Sequence, residues 1–250
     1  MRAAIVLVLA LAAAACGGND SVRKPQPERA SDINLELGID YLRKGNLNGA
    51  KEKIDRAVEQ NPRNAQAQSV AGMLYDRLGE TNKADAHYQR AVSLEPKNPD
   101  ILNNYAAYLC QKNRYERGEK YALEAASNPL YRTPEIGFLN AGNCARNGGN
   151  LVRAEEHYRR ALRSRPRFGE ALLQLAELEF GQAEYLSARA FLERYMEVGR
   201  ASPQTLWLGL RIERSLGNEP AALHYARRLK SEYPNAPQTK ELIESERNAG

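Results

Sequence analysis

Cysteine and histidine are the side chains of this 250-residue sequence whose types and spacing bear on chemistry. Cys110 and Cys144 close two similar apolar stretches, "NNYAAYLCQ" and "FLNAGNCAR". In an oxidising compartment such a pair can form a disulfide; otherwise two buried thiols serve as small apolar residues. Cys16 stands alone at the end of an apolar run, "LALAAAACGGND". Its thiol is either a nucleophile awaiting modification or a free surface group. His87 and His157 are each followed by Tyr at the same place in a longer pattern, and His224 also precedes a Tyr. A metal ion needs ligands that converge. These histidines are spaced too far apart for that and read as amphipathic cover on a helix surface. No Ser, His and Asp grouping stands out, no Gly-rich loop follows a strand, and no strand is predicted. The expectation is therefore a protein that is not an enzyme, with no metal, no cofactor and no small-molecule substrate.

Arginine is concentrated in "RRALRSRPR", which holds Arg159, Arg160, Arg163, Arg165 and Arg167. Such a run on a second helix reads first as a solvated convex face. The functional alternative is contact with anionic headgroups or an acidic partner, weakened by salt. The formal net charge of +5 is too small and too dispersed to argue for nucleic acid. With only four Phe and one Trp, any core must be built from Ala, Leu and Tyr, which suits closely packed helices.

Residues 1–15 carry one positive charge, Arg2, and then an apolar or alanine run from Ala3 to Ala15. This length is that of a signal-peptide core and is short for a bilayer span. Two readings of its junction with Cys16 stay open. A cut after an A-x-A site at Ala13–Ala15 would leave Cys16 a free thiol. Alternatively, the segment resembles a bacterial lipobox, with small residues at 14 and 15 and Ala13 where Leu is usual. That resemblance implies acylation of Cys16, which would then begin the mature protein. The shortage of other cysteines and the polar stretch "GGNDSVRKPQPERA" favour the lipoprotein, with residues 17–30 as a tether. Gly17 at the second mature position implies the outer membrane by the same resemblance.

The rest of the chain is built on one period. Units fall at 31–64, 65–98, 99–134, 135–168, 169–202 and 203–236, with 237–250 left as a capping helix and tail. Leu37-Gly38, Tyr41, Ala50, Ala57 and Pro62 recur as Ala71-Gly72, Tyr75, Ala84, Ala91 and Pro96, and again as Ala141-Gly142, Ala154, Ala161 and Pro166. Turn residues recur as well: Gly45-Asn46, Gly79, Asn113, Gly148-Gly149 and Gly217-Asn218. Each unit then holds two antiparallel helices joined at a residue that tolerates left-handed backbone. Small residues let the helices approach, and an aromatic residue of the second helix fills the space beside them. The pattern resembles the tetratricopeptide repeat, which implies an all-α right-handed superhelical solenoid of about six helix-turn-helix units.

In such a solenoid the first helices line the concave side. Their exposed positions in units three and four are expected at Asn103, Asn104, Ala107, Gln111, Asn140, Asn143 and Arg146, a candidate partner-binding groove. Cys110 and Cys144 would sit at similar heights on neighbouring first helices, close enough to bridge.

A closer resemblance rests on the leader, the tether, the six units and "ILNNYAAYLCQKNRYERGEKYALEAASNPLYRTPEIGFLNAGNCARNGG". Together these look like the type IV pilus biogenesis and stability lipoproteins, the PilF/PilW pilotin family. The resemblance implies a lipid-anchored outer-membrane protein facing the periplasm, whose partner is the pilus secretin subunit. It would promote secretin localisation and multimerisation. The competing expectation is a scaffold lipoprotein for cell-wall enzymes or outer-membrane protein assembly.

Overall fold

The computed structural model describes residues 27–249, so the signal segment, Cys16 and the start of the tether lie outside the described residues. Thirteen α-helices succeed one another among the described residues. They are α1 (Pro27–Arg43), α2 (Leu47–Gln60), α3 (Ala65–Arg77), α4 (Thr81–Leu94), α5 (Pro99–Gln111), α6 (Tyr115–Ala126) and α7 (Pro134–Asn147). Then come α8 (Leu151–Ser164), α9 (Gly169–Gly181), α10 (Tyr185–Met196), α11 (Pro203–Ser215), α12 (Glu219–Glu232) and α13 (Pro237–Ala249). Six antiparallel pairs stack in series and α13 covers the last one, burying Leu242. The solenoid thus has the all-α architecture that the period implies.

Each pair turns on one left-handed residue. Gly45, Gly79, Asn113, Gly149, Ala183 and Gly217 have φ between 60° and 81°. Ala183 is the position the turn pattern did not reveal, because its Cβ disfavours this conformation. The opposite ends of the helices are set by caps. Asn98 Oδ1 accepts from the Asp100 and Ile101 amides, and Pro99 occupies the first turn of α5. Asn64 caps α3 in the same way, and Ser202 forms a capping box with Thr205 on α11. Each such cap contributes about 1 kcal/mol. Second helices stop two residues before Pro62, Pro96 and Pro166, as the restricted backbone before proline requires.

The helices begin earlier than the expected boundary at residue 31. Residues 27–30 belong to α1, because Pro27 suits a first helical turn, Glu28 sits beside it there, and Ser31 Oγ donates to Ala57 O at 2.8 Å.

Packing within a pair depends on absent side chains. A Cβ at Gly72 would lie 2.7 Å from Tyr88 Cδ2, one at Gly38 2.5 Å from Ile54 Cγ1, and one at Gly209 2.5 Å from Tyr225 Cε1. Gly142 holds the Tyr158 ring still closer, and Tyr158 is wholly buried. Burying such a ring contributes roughly 1.5–3 kcal/mol. Unit three departs from this scheme. Its second helix has Gly118 and Ala122 at the places of Ala84 and Tyr88 in unit two, and the space is taken by the sulfurs of Cys110 and Cys144, which form a disulfide with Cα atoms 5.3 Å apart. A Cβ at Gly118 would collide with Cys110 Sγ and lie 3.1 Å from Cys144 Sγ. Gly137 likewise lets α7 close on Ala122 and Ala126, so α6 packs on α7 almost as extensively as on its own partner α5.

Candidate partner-binding groove

The parallel first helices α5 and α7 place the seven groove residues on one face, but they are not equally available. Asn103 is buried, and its Oδ1 accepts from Asn140 Nδ2 at 2.9 Å. It was expected among the exposed positions. The close approach of α5 and α7 around the disulfide turns it into the junction between units instead. Asn143 Oδ1 accepts from the Tyr158 hydroxyl at 2.9 Å, and burial pushes that phenol up to about 12. Arg146 Nη1 donates to Gln174 Oε1 at 2.6 Å and pairs with Glu177 at 3.0 Å.

Two open cavities lie along this face. Asn104, Ala107 and Gln111 line one of about 300 Å³, together with Met73, Asp76, Arg77, Tyr88 and Tyr108. Lys112 Nζ lies 2.7 Å from Asp76 Oδ1, close enough for an ion pair although the angle is not that of a hydrogen bond. Tyr88, Tyr105 and Tyr108 stack behind it, with Tyr88 and Tyr108 ring centroids 4.9 Å apart, and burial raises all three phenols. Their hydroxyl groups stay protonated donors at neutral pH, Tyr108 donating to Thr81 O at 3.0 Å. The second cavity, about 290 Å³, is lined by Arg146, Glu177, Phe180, Trp207, Leu208 and Arg211, with the Arg211 guanidinium 4.5 Å from the Phe180 ring centre. Of its lining, sequence reasoning named only Arg146, since the walls come from α7, α9 and α11, whose other lining residues carry no common signature.

The remaining chemistry-bearing residues are structural. His157 is buried, correcting its reading as partial surface cover: its Nε2 meets Glu119 Oε1 at 2.9 Å, a side-chain contact between α8 and α6. His87 stacks on Tyr75 with ring centres 5.2 Å apart, touches Gln68 Oε1 at 2.7 Å, and is held below the ordinary imidazole range by burial. Among the described residues no three His, Cys, Asp or Glu side chains converge on a metal position. Of the clustered arginines, Arg159 bonds Glu155 and Glu179, Arg160 lies over Phe138, and Arg165 reaches Glu135 at 3.6 Å, while Arg163 and Arg167 are exposed. Burial raises the Glu179 carboxyl.

A tetratricopeptide repeat model matches residues 35–99 and 139–205, more than half the chain, and a second matches residues 87–120. The chain belongs to the tetratricopeptide repeat family. It is also homologous to the type IV pilus assembly protein PilF of Pseudomonas aeruginosa, with 29% identity over 97% of this chain and 98% of that one. The tetratricopeptide solenoid superposes on the crystal structure of PilW, described as a widely conserved type IV pilus biogenesis factor. The TM-score is 0.79 at 29% identity, covering 85% of this chain and 98% of PilW. A solved PilF from Pseudomonas aeruginosa gives a TM-score of 0.76 at 27% identity, covering 88% and 99%.

Proposed function

We propose that this chain is a non-enzymatic outer-membrane lipoprotein of type IV pilus biogenesis. Anchored through acylated Cys16 and facing the periplasm, it binds the pilus secretin subunit and promotes its placement and multimerisation. The lipid on Cys16 is its only added group, and neither nucleic acid nor a small-molecule substrate is a partner. The observation that carries this reading is similarity to PilF over nearly the full length of both chains, at a level that spans every repeat. The surface is suited to the task. Asn104 and Gln111 offer amide groups that can bond an extended backbone beside the aromatic-backed cavity, and such contacts recruit a segment without fixing its sequence. Recruitment without turnover needs only this affinity, together with an anchor that confines the search to a membrane surface.

Deleting the gene tests the reading. Surface pili and detergent-resistant secretin multimers are expected to disappear while the cell wall stays intact, and a wild-type copy restores them. Normal secretin multimers in the deletion strain would refute the secretin role, and wall defects in their place would favour the scaffold reading.

A further inference from the structure

We propose that the cavity between α7, α9 and α11 is a second station on the first-helix face, taking from an extended partner segment an acidic side chain that follows an aromatic or aliphatic one. The inference rests on the first-helix face as the binding face. Arg146 connects the two regions: it ends the row of groove residues on α7 and also lines this cavity. A segment lying along Asn140 and Asn143 therefore runs on into the space beside Phe180 and Trp207.

The lining combines apolar surface with one unmatched charge. Phe180 on α9 and Trp207 on α11 are only partly buried against the core, and both border the cavity with Leu208. Three charged side chains border it as well, Arg146, Glu177 and Arg211. Glu177 is held by Arg146 at 3.0 Å, and Arg146 Nη1 also donates to Gln174 Oε1 at 2.6 Å, so this pair is already matched. Arg211 is exposed and has no carboxylate partner among the described residues; its guanidinium lies over the Phe180 ring, 4.5 Å from the centroid. That contact holds the group in place and leaves its N–H donors for a carboxylate, which a guanidinium fork meets in pairs. The unmatched charge is therefore positive and stands beside aromatic rings, the complement of a carboxylate next to an aromatic or aliphatic side chain. Beyond the lining, Arg214 a turn after Arg211 and Glu241 a turn after Gln238 are both exposed and offset each other. Gln238 completes the wall, and its Oε1 is buried without a hydrogen-bond partner. Turning that oxygen toward an arriving backbone N–H breaks no bond and makes one.

Trp207 is the only tryptophan of the chain, so its emission reports this cavity alone. The full chain in detergent is titrated with the capped peptide Ala-Phe-Glu-Ala, and separately with Ala-Phe-Gln-Ala and Ala-Phe-Lys-Ala. The expected result is a saturable shift in emission, at least about tenfold weaker in affinity with the Gln peptide and weaker still with the Lys peptide. Arg211→Gln removes the preference for Glu over Gln while the circular dichroism spectrum stays unchanged, and Arg211→Glu reverses it in favour of the Lys peptide. No saturable shift, equal affinity for the Glu and Gln peptides, or an unchanged preference in Arg211→Glu overturns the proposal. So does a shift on concentrating the protein alone, which assigns the cavity to a second copy, or phenylacetate matching the Glu peptide, which makes it a small-molecule site. The titration contains no secretin, so its failure is distinct from that of the secretin reading. Secretin adducts at Asn104 without a peptide response refute this station alone, and a peptide response without adducts upholds the station and refutes the secretin reading.

Discussion

Replacing both bridged cysteines, Cys110→Ala with Cys144→Ala, tests how units three and four are held together. The bridge closes a loop of 34 residues. Its release returns about 12.6 cal/mol/K to the unfolded chain, close to 3.8 kcal/mol at 25 °C. Loss of two sulfurs from sites only 7% and 0% exposed adds about 1 kcal/mol of cavity cost. In a solenoid this loss falls on one junction, so the two halves should unfold in separate steps, the first lowered by at least about 10–19 °C. Thermal unfolding monitored by circular dichroism, with and without reductant, reads this directly. Gly118→Ala supplies the internal control. With the bridge present its Cβ presses on Cys110 Sγ and also lies 3.0 Å from Ala106 O, costing about 1–3 kcal/mol, and with both cysteines replaced by alanine the part due to the sulfurs should vanish. Equal unfolding midpoints with and without the bridge, or a Gly118→Ala cost that is the same in both backgrounds, would refute the reasoning.

Single positions carry further expectations. Gly142→Ala drives a methyl into the Tyr158 ring; about 1–3 kcal/mol of overpacking against about 1 kcal/mol of gained helix propensity leaves a net loss, visible as a lower urea midpoint. Ala183→Gly relieves a left-handed alanine at φ 63° and should stabilise the protein by about 1 kcal/mol in the same assay. Tyr158 is raised to about 12 by burial, so its contribution is complete below pH 10 and is lost as pH rises toward 12. Unfolding free energy should fall by about 1.4 kcal/mol per pH unit in that window from this group, with Tyr88 adding to the slope, and Tyr158→Phe should flatten it.

What the sequence made legible was whatever recurs. Glycine or asparagine at five of the six intra-unit turns, and Gly72 opposite Tyr88, announce helices, their ends and their closest contacts. Ala183 escaped because nothing in its type signals a left-handed turn; only its distance from Asn113 and Gly217 does. Asn103 and His157 were misplaced for another reason. Both look like ordinary first-helix and second-helix surface residues, and what covers each is a polar side chain of the neighbouring unit that no period reveals: Asn140 Nδ2 donates to Asn103 Oδ1, and Glu119 Oε1 meets His157 Nε2. The cavity beside Trp207 was hidden because it exists only once α7, α9 and α11 lie side by side.

The central claim is that this solenoid engages the secretin through its first-helix face. A photo-reactive residue placed at Asn104, and separately at Asn143, in cells making pili tests it most directly. The account predicts a secretin adduct from both positions and none from Val152 on the far edge. Adducts with cell-wall enzymes and none with secretin, from cells whose secretin multimers are normal, would contradict it.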